Sequence, residues 1–145
     1  MDIKKHITAL GFVPKDGTNG IYHKIYVDYA IEIDFEKQSI NYGGGITADS
    51  KTTQNFSDAE NFVVLECVDR LLTKGYKPQN LILEKTWPSG HGTSGRLDIC
   101  VNREDGTPYM LIECKTYGKE YNKELARIRK DGGQLFTYFQ LSGGK

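Results

Sequence analysis

Two carboxylates and a lysine stand in this sequence where apolar strands leave little room for charge. Asp98 lies between Leu97 and Ile99 in the run Arg96–Val101, and Glu113 and Lys115 flank Cys114 at the end of the run Tyr109–Lys115. An acidic residue followed two places later by lysine occurs at Asp2–Lys4, Asp49–Lys51 and Glu113–Lys115, and only the last pair lies in an apolar strand. Alternate positions share one face of a strand. Charges there are costly unless they meet a metal or each other. Two carboxylates converging on a rigid sheet make a hard-cation site, and oxygen ligands suit magnesium. Such an ion neutralises charge on a scissile phosphate and helps to deprotonate a water. Lys115 would stabilise the developing negative charge or orient the attacking water. The backbone carbonyl of Cys114 is a further candidate ligand. The competing explanation is a buried Asp–Lys–Glu ion cluster with no catalysis.

Convergence sets a condition on the elements that carry these residues. Arg96–Val101 and Tyr109–Lys115 read as strands of a hairpin with Asp105-Gly106 at its turn. Cross-strand partners share a face, so Asp98 meets Glu113 only in an odd register. Pairing Arg103 with Pro108 satisfies this and leaves Glu104–Thr107 as a four-residue loop. Leu81–Trp87 reads as another strand, and Pro88–Gly95 as a flexible glycine-rich loop. That loop contains His91 but no Gly-Lys-Ser/Thr ending, so it is not a nucleotide P-loop. A helix is expected from Ser57 to Lys74, ended by Gly75, with Ser57 as N-cap and Glu60 three residues on to complete a capping box. Further helices are expected around Lys119–Lys130 and from Gln134 to about Leu141, with Gly132-Gly133 between them. Toward the N-terminus a short helix over residues 2–10 stops at Gly11. From Ile21 to Phe35 the odd positions are nearly all apolar and the even ones mostly polar, which predicts antiparallel strands with one buried face. A short third strand is expected at Ser39–Tyr42. Gly43-Gly44-Gly45 through Asn55 reads as a loop and the best internal boundary. The expected fold is α/β: a mixed sheet with a central antiparallel hairpin flanked by helices in an α/β/α core. Residues 1–45 form a small N-terminal helix and antiparallel β unit of the same compact domain, and residues 57–145 form the core.

Composition is that of an ordinary globular protein of one domain. Lys plus Arg equals Asp plus Glu at 19 each, but residues 1–60 carry six basic and nine acidic groups, whereas residues 96–130 carry eight and six. A polyanion is therefore expected on the second half. Lys119, Lys123, Arg127, Arg129 and Lys130 would face phosphate, although the interleaved Glu120 and Glu124 also fit an i,i+4 paired helix. No apolar run reaches the length of a membrane span, and Met1–His6 lacks the apolar stretch of a secretory signal, so a cytoplasmic location is expected. Cys67, Cys100 and Cys114 lie in apolar segments without metal-ligand spacing and are read as buried free thiols.

Asp98 on one strand and Glu113-x-Lys115 on the next resemble the signature of the PD-(D/E)XK nuclease superfamily. More narrowly, Arg96-Leu97-Asp98, Leu111–Lys115 and Gln134-Leu-Phe-Thr-Tyr138 resemble the N-terminal nuclease domain of type I restriction enzyme R (motor) subunits and of single-chain restriction-modification enzymes. The last run matches the Gln-x-x-x-Tyr pattern of these enzymes and of RecB-like nucleases. The resemblance covers about residues 57–141. Leu97 replaces the proline that often precedes the first Asp, and the Ile21–Tyr42 unit has no counterpart. The resemblance implies a magnesium-dependent DNA endonuclease acting on double-stranded DNA, with manganese able to substitute. Its partners would be the motor, methylation and specificity modules of a restriction-modification complex. ATP would act only through a motor outside this chain. The ending Ser142-Gly143-Gly144-Lys145, just after an expected helix, fits a fragment of such an enzyme.

The resemblance further implies an acid on the first helix. Glu60 borders the stripe of Val64, Cys67, Val68, Leu71 and Leu72, whereas Glu66 lies opposite. The capping box explains Glu60 equally well. Gln134 and Tyr138, at i and i+4, would brace the site, or would be an ordinary helix-start amide and an amphipathic tyrosine. Arg96, on the face of Asp98, would contact phosphate or form a salt bridge with Glu113 or Glu60. The alternative function is a non-catalytic module of the same fold that binds DNA or a partner subunit.

Overall fold

The structure is a computed structural model that describes residues 2–89, 92–93, 95–116, 122–123 and 126, with side chains of 88–93 left out. The expected helices over Lys119–Lys130 and Gln134–Leu141, together with His91, Lys119, Gln134 and Tyr138, lie outside the described residues, apart from Asn122, Lys123 and Ala126, which are helical and exposed. The chain is α/β and clusters into two units: residues 1–46 with 52–78, and residues 47–51 with those from 79 on.

The first unit opens with helix α1 (Ile3–Ala9), whose N-cap Asp2 accepts the Lys5 N–H at 3.1 Å. Strands β1 (Val13–Pro14), β2 (Ile21–Tyr26), β3 (Tyr29–Asp34) and β4 (Ser39–Asn41) come next as an antiparallel sheet in that order. The expected alternation is real, but its buried face switches parity. Tyr26 pairs with Tyr29 across a two-residue turn, so Tyr22, Lys24 and Tyr26 share a face with Ile33, Ile31 and Tyr29. Ile31 and Ile33 are fully buried on that face, whereas Ile25 is 68% exposed and Val27 in the turn is completely exposed.

Strand β5 (Thr47–Ala48), in the stretch read as loop, belongs to the second unit. Helix α2 (Glu60–Thr73) starts later than expected, because Ser57 is not its cap. The Asn55 side-chain oxygen takes both the backbone N–H and the hydroxyl of Ser57, and the Asp58 carboxylate accepts the Glu60 N–H at 2.9 Å. Glu60 thus opens the helix without the capping box. At the other end Gly75, at φ +101°, and Tyr76 donate to the carbonyls of Leu72 and Leu71, closing the helix in a Schellman motif. Phe62, Val64, Leu65 and Val68 are buried along α2. Buried Asp69 accepts from Lys24 Nζ and from the Tyr26 hydroxyl, each at 2.6 Å. Burial, then this carboxylate, raises the Tyr26 phenol well above its usual range. The pair fastens α2 to β2 through the one lysine on the inner face of the sheet.

In the second unit a 3₁₀ turn (Pro78–Asn80) leads into β6 (Leu81–Lys85). The segment read as a flexible loop contains two short paired strands, β7 (Pro88–Ser89) and β8 (Gly92–Thr93). Strands β9 (Leu97–Asn102) and β10 (Pro108–Ile112) complete a mixed sheet of order β10-β9-β6-β5, in which only β5 runs parallel to its neighbour. Leu81, Leu83, Leu97, Ile99, Cys100 and Val101 are fully buried. This explains why β9 reads as almost continuously apolar: residues on both of its faces are covered.

Candidate metal centre

The hairpin brings Asp98 to Glu113 by a different route from the expected one. Asn102, not Arg103, pairs with Pro108, and the loop is Arg103–Thr107. It is closed by Arg103 N–H to the Thr107 carbonyl at 2.8 Å, and Asp105 accepts both the N–H and the hydroxyl of Thr107. Continued unchanged, this register would face Glu113 with Leu97. A β-bulge at Tyr109 then shifts the ladder by one place, to Met110↔Val101, Leu111↔Cys100 and Ile112↔Ile99. One step beyond, Glu113 comes opposite Asp98. A bulge inserts one extra residue on one strand and re-aims the side chains beyond it; Tyr109 is that residue.

The side chains then meet. The register puts Glu113 opposite Asp98, and the Glu113 side chain is among the groups that act on the Asp98 carboxyl. The Cys114 N–H donates to Asp98 Oδ2 at 2.7 Å, and Lys115 Nζ donates to Glu113 Oε1 at 3.1 Å. The side chains of Glu113 and Lys115 are only 6% and 18% exposed. Burial raises the Asp98 carboxyl above the ordinary range; the Cys114 N–H and Lys115 pull against this, and the charge of Glu84 adds to it. A carboxyl in that position is short of positive charge.

Glu84 is the residue that sequence reasoning missed. It is 2% exposed, and its backbone is at φ +51°. That conformation is uncommon for a glutamate, costs on the order of 1–3 kcal/mol, and clusters at functional sites. The β6–β9 ladder pairs Leu83 with Ile99 and Lys85 with Leu97, so Glu84 faces Asp98. Three acids, Glu84, Asp98 and Glu113, therefore lie in one row across adjacent strands. Beneath them on the same face runs an apolar row of Ile82, Cys100 and Leu111. The signal was present: Glu84 is a charge inside an apolar strand, as Asp98 is. Its place in the row, however, depends on pairing between strands distant in sequence.

Arg96 departs from expectation by pairing with Glu84, Nη1 to Oε1 at 3.3 Å, and the same nitrogen donates to Ser50 Oγ at 3.0 Å. Half-buried Glu60 opens α2 in the first unit. The cysteines are free thiols, with Cys100 and Cys114 buried and Cys67 half-buried. Among the described residues, no group of three or more His, Cys, Asp or Glu side chains is arranged to hold a metal ion. The carboxylates that could hold an ion together are Asp98 and Glu113, which the register sets opposite each other. Magnesium is commonly held by one or two carboxylates and otherwise keeps its waters, so the pair suits it.

The family model described as type I restriction enzyme R protein N terminus matches residues 59–139, more than half of the chain. The chain belongs to this family. A search among curated proteins gave no match. Membership sets the R-protein N-terminal domain in a restriction-modification context. The matched span holds α2, the three acids, Lys115 and Arg96, as well as Gln134 and Tyr138. The sheet of β1–β4 precedes it. No described helix of the domain is long and apolar enough to cross a membrane.

Proposed function

We propose that this chain is the DNA-cleaving domain of a type I-like R subunit, a PD-(D/E)XK nuclease that hydrolyses phosphodiester bonds with magnesium, or with manganese in its place. The observation that carries this reading is the shift at Tyr109, which sets the half-buried Asp98 opposite Glu113 with a lysine on the latter. Asp98 and Glu113 would hold the ion, with the Cys114 carbonyl as a further ligand. When bound, magnesium supplies neutralisation of the phosphate charge and a lowered pKa for water. Asp98 is held in place by the Cys114 N–H, which fixes the rotamer of a ligand before any ion arrives. Lys115 holds Glu113 in place, and its ammonium would stabilise negative charge that develops on the phosphate. Glu60, Gln134 and Tyr138 are assigned supporting roles, and Arg96, Lys119 and Lys123 are assigned to the DNA backbone.

Double-stranded DNA is the substrate in this reading. The motor, methylation and specificity modules of the complex are the partners, ATP is used only by the motor, and the location is cytoplasmic. Calorimetric titration with magnesium or manganese tests the site. Ion uptake abolished by Asp98→Ala supports the reading, and a folded wild-type chain that takes up neither ion refutes it.

A further inference from the structure

We propose that Glu84 is a positioning residue that holds the Arg96 guanidinium beside the acidic row, where a DNA phosphate meets it. The proposal rests on the DNA-cleaving reading and adds a residue to it. The two side chains differ sharply in exposure: Glu84 is 3% exposed and Arg96 47%. A buried carboxylate without a partner is costly, and the cation that partners Glu84 reaches solvent. Arg96 stands one residue before β9 and two before Asp98, and its guanidinium lies on Glu84, whose charge acts on the Asp98 carboxyl. Ser50 Oγ takes the same Nη1, giving the guanidinium a second anchor. A guanidinium carries five donors in a rigid fork, so a carboxylate on Nη1 is compatible with phosphate contact.

The backbone of Glu84 supports the same conclusion. A positive φ in mid-strand takes Glu84 out of the ladder between two regular pairs, and such a conformation persists only where its surroundings over-determine it. A charge serving only to fill the interior would be replaced at lower cost by an apolar residue. A long arginine loses rotamer freedom on meeting DNA. Prior anchoring by Glu84 removes part of that loss, so the benefit appears in affinity.

The test is binding of a short fluorescent DNA duplex to the whole chain in calcium, as a function of salt, for Arg96→Ala, Glu84→Gln and the double variant. Arg96→Ala should weaken binding several-fold and flatten the dependence of log affinity on log salt by ~0.9, the share of one phosphate contact. Glu84→Gln should weaken binding in the same direction and add nothing in the Arg96→Ala background. A purely structural Glu84 would lower the unfolding temperature and leave the affinity of the folded chain unchanged. Unchanged affinity, or an equal further loss in the double variant, overturns the proposal. If Glu84→Gln does not fold, Glu84→Asp, which keeps the charge on a shorter arm, is read in the same way. Magnesium uptake is measured separately, so failure of the metal reading shows there. A chain that takes up the ion but binds no duplex overturns the role of Arg96 and Glu84 alone.

Discussion

Replacing Asp98 by asparagine should change the sign of its effect on stability with the metal content of the buffer. Without metal, the Asp98 carboxyl is half-buried and desolvated, lies opposite Glu113 and faces the charge of Glu84. Asparagine keeps an oxygen for the Cys114 N–H and offers its amide protons to Glu113, while removing one buried acid. Single stabilising substitutions commonly contribute ~0.5–2 kcal/mol, and removing an unfavourably buried charge is expected to lie in that range. For a chain of this size ~1 kcal/mol corresponds to roughly 2–4 °C in unfolding temperature. In EDTA at neutral pH, Asp98→Asn should therefore melt a few degrees above wild type. With magnesium at a hundred times its dissociation constant, wild type should gain ~2.7 kcal/mol and the variant nothing. The order of the two melting curves then reverses, and paired thermal unfolding by circular dichroism reads it directly. If Asp98→Asn is less stable in EDTA, Asp98 is a structural charge. If magnesium raises both proteins equally, Asp98 is not a ligand. Either result refutes the reasoning.

The same geometry sets further outcomes. Folding raises the Asp98 pKa, so the folded chain binds more protons than the unfolded one between the two values. The stabilisation contributed by Asp98 in the metal-free chain should thus be fully present below the ordinary carboxylate pKa and be lost as pH rises through the raised value; the difference between wild type and Asp98→Asn in melts taken across pH should show it. Lys115→Met removes the partner of buried Glu113 and should cost about 2–3 kcal/mol at neutral pH in denaturant titrations, at or below the lower end for broken buried pairs because Lys115 is partly exposed. A loss below a few tenths of that would mean the pair is solvated. Deleting Tyr109, the extra residue of the bulge, should leave Glu113 opposite Asp98 and the stabilisation by magnesium intact. Inserting an alanine between Ile112 and Glu113 should abolish that stabilisation by turning Glu113 to the other face. The opposite pattern in magnesium-dependent melts would contradict the assigned register.

The parts of the fold legible in the sequence are those set by neighbours along the chain. Charges at Asp98, Glu113 and Lys115 stand out because the residues around them are apolar, and the odd register comes from asking two carboxylates to share a face. How the register arises was hidden: a five-residue loop closed by Asp105 and Thr107, then a bulge at Tyr109, reaches the same alignment as the simpler loop expected. Glu84 was missed because its meaning comes from β9, which is reached only after β7 and β8. Strand β5 has two residues and a distant parallel partner, so no local pattern marks it. Ser57 lost its capping role to competition from the Asn55 side chain, which no spacing rule weighs. The odd-position stripe from Ile21 to Phe35 crosses a two-residue turn at Val27-Asp28, so one apolar pattern serves two opposite faces and leaves Ile25 outside.

Cleavage of supercoiled plasmid DNA by the chain in magnesium or manganese, beside Asp98→Ala and Lys115→Ala variants shown to be folded, tests the nuclease assignment most directly. Wild type should nick or linearise the plasmid only when metal is present, and neither variant should do so. No cleavage by a folded, ion-loaded wild type, or cleavage that both variants retain, would contradict the assignment.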